Sequence, residues 1–197
     1  MNFIKKLLRL AKVGNSDNVE LRLIAPNGKC KKLFQPNALY VWLMKKFGIS
    51  RNLKFWFLGR FSDKLVLANL ITTAGLGGIA ARINGAGSPA AFTYLAIGTG
   101  TTAAANSDTQ LVAEITQYGG ARASATASTT TTDTAGDTAT LVNTFSFTTG
   151  ASFAVTEAGV LNASSGGTLL ARQVFSAINV ASGDSLQISW AVDCDSA

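Results

Sequence analysis

Hydrophobic and polar residues change period twice along this chain. Residues 3–13 place Phe3, Ile4, Leu7, Leu8 and Ala11 on one helical face and Lys5, Lys6, Arg9 and Lys12 on the other, which predicts a short amphipathic helix closed by Gly14 and Asn15. Residues 19–24 then alternate. Val19, Leu21 and Leu23 share one side, Glu20 and Arg22 the other, and Pro26-Asn27-Gly28 turns the run into a second strand over 29–34, so a β-hairpin is predicted. A second helix is expected over 37–47, where Leu39, Trp42, Leu43 and Phe47 share a face and Gly48 suits the position just past the last turn. Strands are expected over 53–58 and 64–70.

Beyond Asn69 the texture changes. Residues 74–83 read as a small helix weakened by Gly75, Gly77 and Gly78. Residues 94–97 read as a short buried strand, and 109–115 as a helical turn capped by Asp108 with Glu114 beyond. From Ala121 onward only strand patterns occur: 122–132, 139–148, 153–161, 168–175 and 185–192, separated by turn clusters at 133–137, 149–150, 164–167 and 181–184. Regular spacing of this kind predicts a mainly β protein with an antiparallel β-sandwich or jelly-roll-like C-terminal domain. Its expected core includes Phe145, Phe147, Phe153, Val155, Leu161, Phe175, Ile188 and Trp190.

Charge divides the chain in the same sense. Of 17 Lys and Arg, 14 fall within residues 1–64 beside three acids, Asp17, Glu20 and Asp63, whereas residues 65–197 carry three basic residues and eight acids. Two regions are therefore expected: a basic, mixed α+β arm over 1–64 and a Thr-, Ala- and Gly-rich β-sandwich over 65–197. Charged residues make up only 14% of the whole, so copies of the sandwich would repel one another weakly, and a homo-oligomer is expected.

Little in the composition supports catalysis. The chain has no His, Cys30 and Cys194 lie far apart without a CxxC pair, and no tight acid pair or nucleophile motif occurs, which argues against an enzyme, a metal centre or any cofactor. Gly98-Thr99-Gly100-Thr101-Thr102 lacks the Lys of a phosphate loop and the last Gly of a dinucleotide fingerprint, so a plain turn is expected there. No run of about 18 apolar residues exists to span a membrane. Lysines and arginines interrupt the first ten residues, which therefore lack the apolar core of a signal peptide and point to folding in a cytoplasm.

The basic arm admits three readings. Its lysines and aromatics fit a nucleic-acid surface, an arm lying on an acidic protein surface, or a small core with a solvated lysine face. The aromatics fall on the apolar faces of the predicted elements, which favours a protein partner over nucleic acid. Lys5, Lys6, Arg9, Lys31, Lys32, Lys45 and Lys46 are the candidate steering charges and Trp56 the candidate anchor.

Residues 69–190 carry a resemblance. Asn69-Leu70-Ile71-Thr72, Tyr94-Leu95-Ala96-Ile97-Gly98-Thr99-Gly100, Ser107-Asp108-Thr109, Val155-Thr156-Glu157-Ala158-Gly159-Val160-Leu161, Ala171-Arg172-Gln173-Val174-Phe175 and Gly183-Asp184-Ser185-Leu186 occur in this order. Together they resemble a family of small tailed-bacteriophage virion structural proteins, tail-fibre-like or capsid-decoration-like. The resemblance implies a structural, non-enzymatic virion component, assembled as a homo-oligomer, by analogy a trimer, with the major capsid protein or tail proteins as partners. A capsid decoration (cement) protein docked through its basic arm is the first expectation. The alternatives are a tail fibre, baseplate or tail-adaptor protein with a receptor- or carbohydrate-binding β module, and a nucleic-acid-binding module.

Overall fold

A computed structural model describes residues 18–36, 59–87 and 89–194. The helices expected over 3–13 and 37–47 and the strand expected over 53–58 lie outside them, as do Lys5, Lys6, Arg9, Lys45, Lys46 and Trp56.

The described residues form two antiparallel sheets packed face to face, with a short two-stranded ribbon beside them. The first sheet runs β2 (Cys30–Lys31), β1 (Asn18–Ile24), β13 (Ser185–Asp193), β10 (Thr138–Ser146) and β9 (Thr126–Thr130), and β5 (Leu65–Ala68) also pairs with β1. The second runs β6 (Leu70–Ile71), β12 (Leu169–Ala181), β11 (Ser152–Leu161), β7 (Tyr94–Gly98) and β8 (Ala123–Ser124). The ribbon pairs β3 (Leu33–Pro36) with β4 (Gly59–Ser62).

Alternation sets which side chains meet. In β1, Val19, Leu21 and Leu23 point inward, and in β13 Leu186, Ile188 and Trp190 do the same. They join Leu95, Ile97, Val160, Phe175 and Ile178 of the facing sheet in one core. Of the eight residues expected in the core, six are buried there, Leu161 is buried in a second, smaller apolar cluster, and Phe153 is partly buried against Phe147 and Tyr118.

A boundary at residue 64 does not separate two packing units. β1 comes from the basic segment, yet it pairs over seven residues with β13 and supplies fully buried Val19 and Leu21. Apolar periodicity, not net charge, decides what joins a core. The hairpin expected after β1 does form: Gly28, at φ 76°, closes the turn, and Gly28 N donates to Ala25 O.

The helix read over 74–83 is α1 (Thr73–Asn84), capped by the Thr72 hydroxyl accepting from Gly75 N and ended by Gly85 in the left-handed region. Its glycines reflect packing. A Cβ at Gly75 would overlap the Leu170 backbone, and one at Gly78 the ring of Phe92, whereas Gly77 faces open space.

The helical turn expected over 109–115 is absent. Its amides are used elsewhere: Val112 N and Ala113 N donate to the Glu157 carboxylate, and Ile115 N donates to Ile97 O. The strand expected over 122–132 splits at Ala125, where the chain passes from the edge of the second sheet (β8) to that of the first (β9).

The loop between β9 and β10 folds around Asp137. Its carboxylate accepts from Thr132 N at 2.9 Å, Asp133 N at 2.9 Å, Thr134 N at 2.6 Å and the Thr138 hydroxyl at 2.8 Å. The amides of Thr132 and Thr134 foremost, against a smaller opposing effect of desolvation, hold the carboxyl well below its ordinary range. A carboxylate with a depressed pKa stabilises the fold above the unfolded value of about 3.9 and loses that contribution as pH falls below it. Amide exchange at Thr132, Asp133 and Thr134, corrected for intrinsic rates, should therefore accelerate as pH drops below about 4. Asp137→Asn should produce the same loosening at neutral pH.

Candidate interaction surface

Lys31 and Lys32 are the two candidate steering charges among the described residues, and both are paired within the chain. Lys31 Nζ lies 2.6 Å from Asp184 Oδ2, and Lys32 Nζ lies 2.7 Å from Asp63 Oδ1. The pairs differ in kind. Asp184 is buried in the turn between β12 and β13, where it also accepts from Ala181 N, whereas Lys32 and Asp63 are both exposed. Lys31 thus ties β2 to that turn.

Arg22 and Lys64 are likewise paired, both with Glu20 at 2.7 Å. Burial pushes the Glu20 carboxyl up, but hydrogen bonds and charge from Lys64 and Arg22 outweigh it and leave the group below its ordinary value. Much of the positive charge on this side of the sheet is therefore balanced in place. Eight of the 14 basic residues of the first 64 lie outside the described residues.

These geometries separate the two lysines. Lys31→Glu should cost about 1–2 kcal/mol, because it leaves the buried Asp184 carboxylate facing a like charge, while solvent screens the half-exposed lysine. Lys32→Glu should change stability by less than about 0.5 kcal/mol. Urea unfolding of the two variants distinguishes them.

A shallow groove runs beside this edge, lined by Leu23, Leu33, Phe34, Phe61 and Leu65 and faced by residues 176–179 of β12, with Lys31 and Lys32 at its rim. Phe34 and Phe61 meet edge to face at 5.7 Å, and Phe61 remains exposed.

Under the other face of the molecule lies an ion cluster that sequence reasoning missed. Glu157 and Arg172 are both fully buried, with Arg172 Nε 2.8 Å from Glu157 Oε2. Arg172 Nη1 pairs with Asp108 Oδ2 at 2.8 Å, and Nη2 donates to Thr102 O at 3.0 Å. Glu157 also accepts from the amides of Gly100, Val112 and Ala113. A register shift between Val155 and Glu157 makes this possible: Val155, Ala158 and Val160 face the inner core, and the irregularity turns Glu157 to the opposite side.

The cluster binds backbone, not ligand. It pins the segment 99–113 across the outer face of the second sheet, over the small apolar cluster of Ala96, Leu111, Leu161 and Leu169. Gly98 and Gly100 are needed for the approach, since a Cβ at either would overlap the Glu157 carboxyl group. The glycine-rich turn thus cradles a carboxylate of its own chain. One signal in the sequence could have revealed this: a single acid and a single base of opposite sign stand inside the apolar runs 153–161 and 168–175.

Nearby, Arg122 pairs with both oxygens of Glu114, at 3.0 and 2.6 Å, and donates to Ala163 O and Gly166 O, so its guanidinium is committed to loop positioning. Cys30 and Cys194 are exposed free thiols. Among the described residues no cluster of acids, Cys and His could hold a metal ion, and no helix is long and apolar enough to cross a membrane.

Residues 66–191 match the family model described as podophage GP4 fiber I protein gp80. The matched span begins within β5, ends within β13 and includes the whole ion cluster. No curated protein and no solved structure matches the chain. A match over more than half of the sequence, falling on the two-sheet body, makes this chain a member of the podophage GP4 fiber I protein gp80 family, a tail-fibre-like family of phage structural proteins.

Proposed function

We propose that this chain is a non-enzymatic structural component of a tailed-phage fibre, in which the sandwich forms the body and basic residues of the first 64 make contact with other virion proteins. The observation that carries the reading is the family match over 66–191, which covers most of the packed body, β1 and β2 excepted, and whose description names a fibre. The charged groups of that body support it: Glu157, Arg172, Asp108, Arg122 and Glu114 are spent on holding loops. The same description favours a fibre over the capsid decoration protein that the sequence alone put first.

Immunogold labelling of intact particles with antibody raised against residues 66–191 tests the placement. Gold on tail appendages is the expected result, and gold spread over the shell would overturn it in favour of decoration. Particles assembled without the protein should still contain DNA-filled shells.

A further inference from the structure

α1 carries a second apolar face that the body does not use. Gly75 and Ile79 turn toward the core, whereas Leu76, Ala80 and Ile83, at helical spacing of four and three, line the outer side and are exposed. Leu76 is 56% exposed and Ile83 83%, two of the five large apolar side chains left exposed among the described residues. The single charge on α1, Arg82, lies off this stripe, where it donates to Pro89 O. Isolated exposed apolar residues are ordinary on a protein surface, but a row of them along one helix face marks a docking surface.

The chain carries a matching stripe next to it. Residues 3–13, outside the described residues, place Phe3, Ile4, Leu7, Leu8 and Ala11 at the spacing of one helix face. The first described residue, Asn18, pairs with Ala68 on one side and Ala191 on the other, and Asn69 donates to Ala191 O at the same corner. α1 begins a few residues further on, at Thr73. Five residue steps separate Ala68 from Thr73 and five separate Val13 from Asn18, each a reach of at most about 17 Å. Val13 can therefore stand beside the start of α1.

We propose that residues 3–13 of the same chain dock as an antiparallel helix on α1, stripe against stripe. With the turn made at 14–17, Phe3 lies toward the end of α1 and Val13 toward its beginning. Ala11 then meets Leu76, Leu7 meets Ala80 and Ile4 meets Ile83. At the first two contacts a small residue faces a large one, which lets the helices approach closely, and their lengths match at about 16 and 18 Å. Lys5, Lys6, Arg9 and Lys12 face outward in this arrangement and stay available to an acidic partner. The proposal stands on the corner at Asn18 and the face of α1, and does not depend on the fibre reading.

Amide hydrogen exchange on the full chain tests it. Residues 3–13 should be protected in the wild type, and Leu76→Lys with Ile83→Lys should speed their exchange at least about tenfold. Both positions are exposed, so protection in β13 should persist and show that the body is intact. A second experiment does not depend on that variant: Leu7→Cys with Ala80→Cys, in a Cys30→Ser, Cys194→Ser background, should form a disulfide within one chain on mild oxidation, at a yield independent of protein concentration. Exchange of 3–13 at the intrinsic rate in the wild type would overturn the proposal, as would protection that survives the two lysines. A disulfide formed only between chains would overturn it in favour of a second copy as the occupant.

Discussion

Replacing Arg172 with Met should destabilise the protein by about 3–5 kcal/mol, the largest effect expected of any surface-remote charge in this chain. Size is not the reason, since Met fills much of the same volume. The change leaves Glu157 fully buried with its carboxylate facing only three amides, and it releases Asp108 and the Thr102 carbonyl. Breaking one partner of a buried pair costs more than the pair is worth, because the survivor retains its charge and loses its compensation. Glu157→Gln should be milder, since the amide keeps one oxygen for the backbone donors while its NH2 opposes the others. The double variant should recover part of the loss but not all of it. Urea unfolding of the four proteins gives the coupling energy directly.

The second large effect is a reversal of sign within one helix. Glycine to alanine in a helix interior ordinarily stabilises by roughly 0.5–1 kcal/mol. Gly77→Ala should follow that rule, because nothing lies near the added methyl. Gly75→Ala should instead cost about 1–3 kcal/mol, because the methyl would press on the Leu170 backbone, which cannot move without disturbing β12. It would also displace the Gly75 amide from the Thr72 hydroxyl, which in turn donates to Leu169 O at 2.6 Å. Thermal unfolding of the two variants should move in opposite directions.

The glycines of α1 illustrate what the sequence made legible and what it hid. Helical periodicity identified α1, but its glycines looked like a weakness, since propensity is a property of isolated chain and the purpose of Gly75 and Gly78 lies in contacts with β12 and Phe92. β13 was readable because it has one face in the core and one outside, which imposes alternation, whereas β11 and β12 are buried on both faces beneath the segment 99–113 and were legible as apolar runs bounded by turn clusters. Residues 109–115 misled for the opposite reason. The polar residues around Asp108 resemble a helix cap, yet Asp108 serves Arg172, and the amides a helix would have used are drawn to Glu157. Long-range pairing of this kind leaves no periodic trace.

Net charge was a similarly local guide. It marked the first 64 residues as a separate arm, while three apolar positions at spacing two, Val19, Leu21 and Leu23, already placed part of that arm within the sheet. Lys31 and Lys32 look alike in sequence, and only their acidic partners, one buried and one exposed, give them different roles.

β1 has a bearing on how the molecule is made. It is synthesised early, and the strand it pairs with across seven residues, β13, emerges last among the described strands. Until then, among the described residues, β1 has only β2 and β5 beside it. Closing so long a loop carries a large entropic cost before any contact rewards it, which makes the first sheet a late and slow event in folding. During translation Val19, Leu21 and Leu23 must wait beside an unfinished sheet, and a ribosome that stalls before β13 releases a chain with an open apolar edge, a substrate for chaperones and proteases.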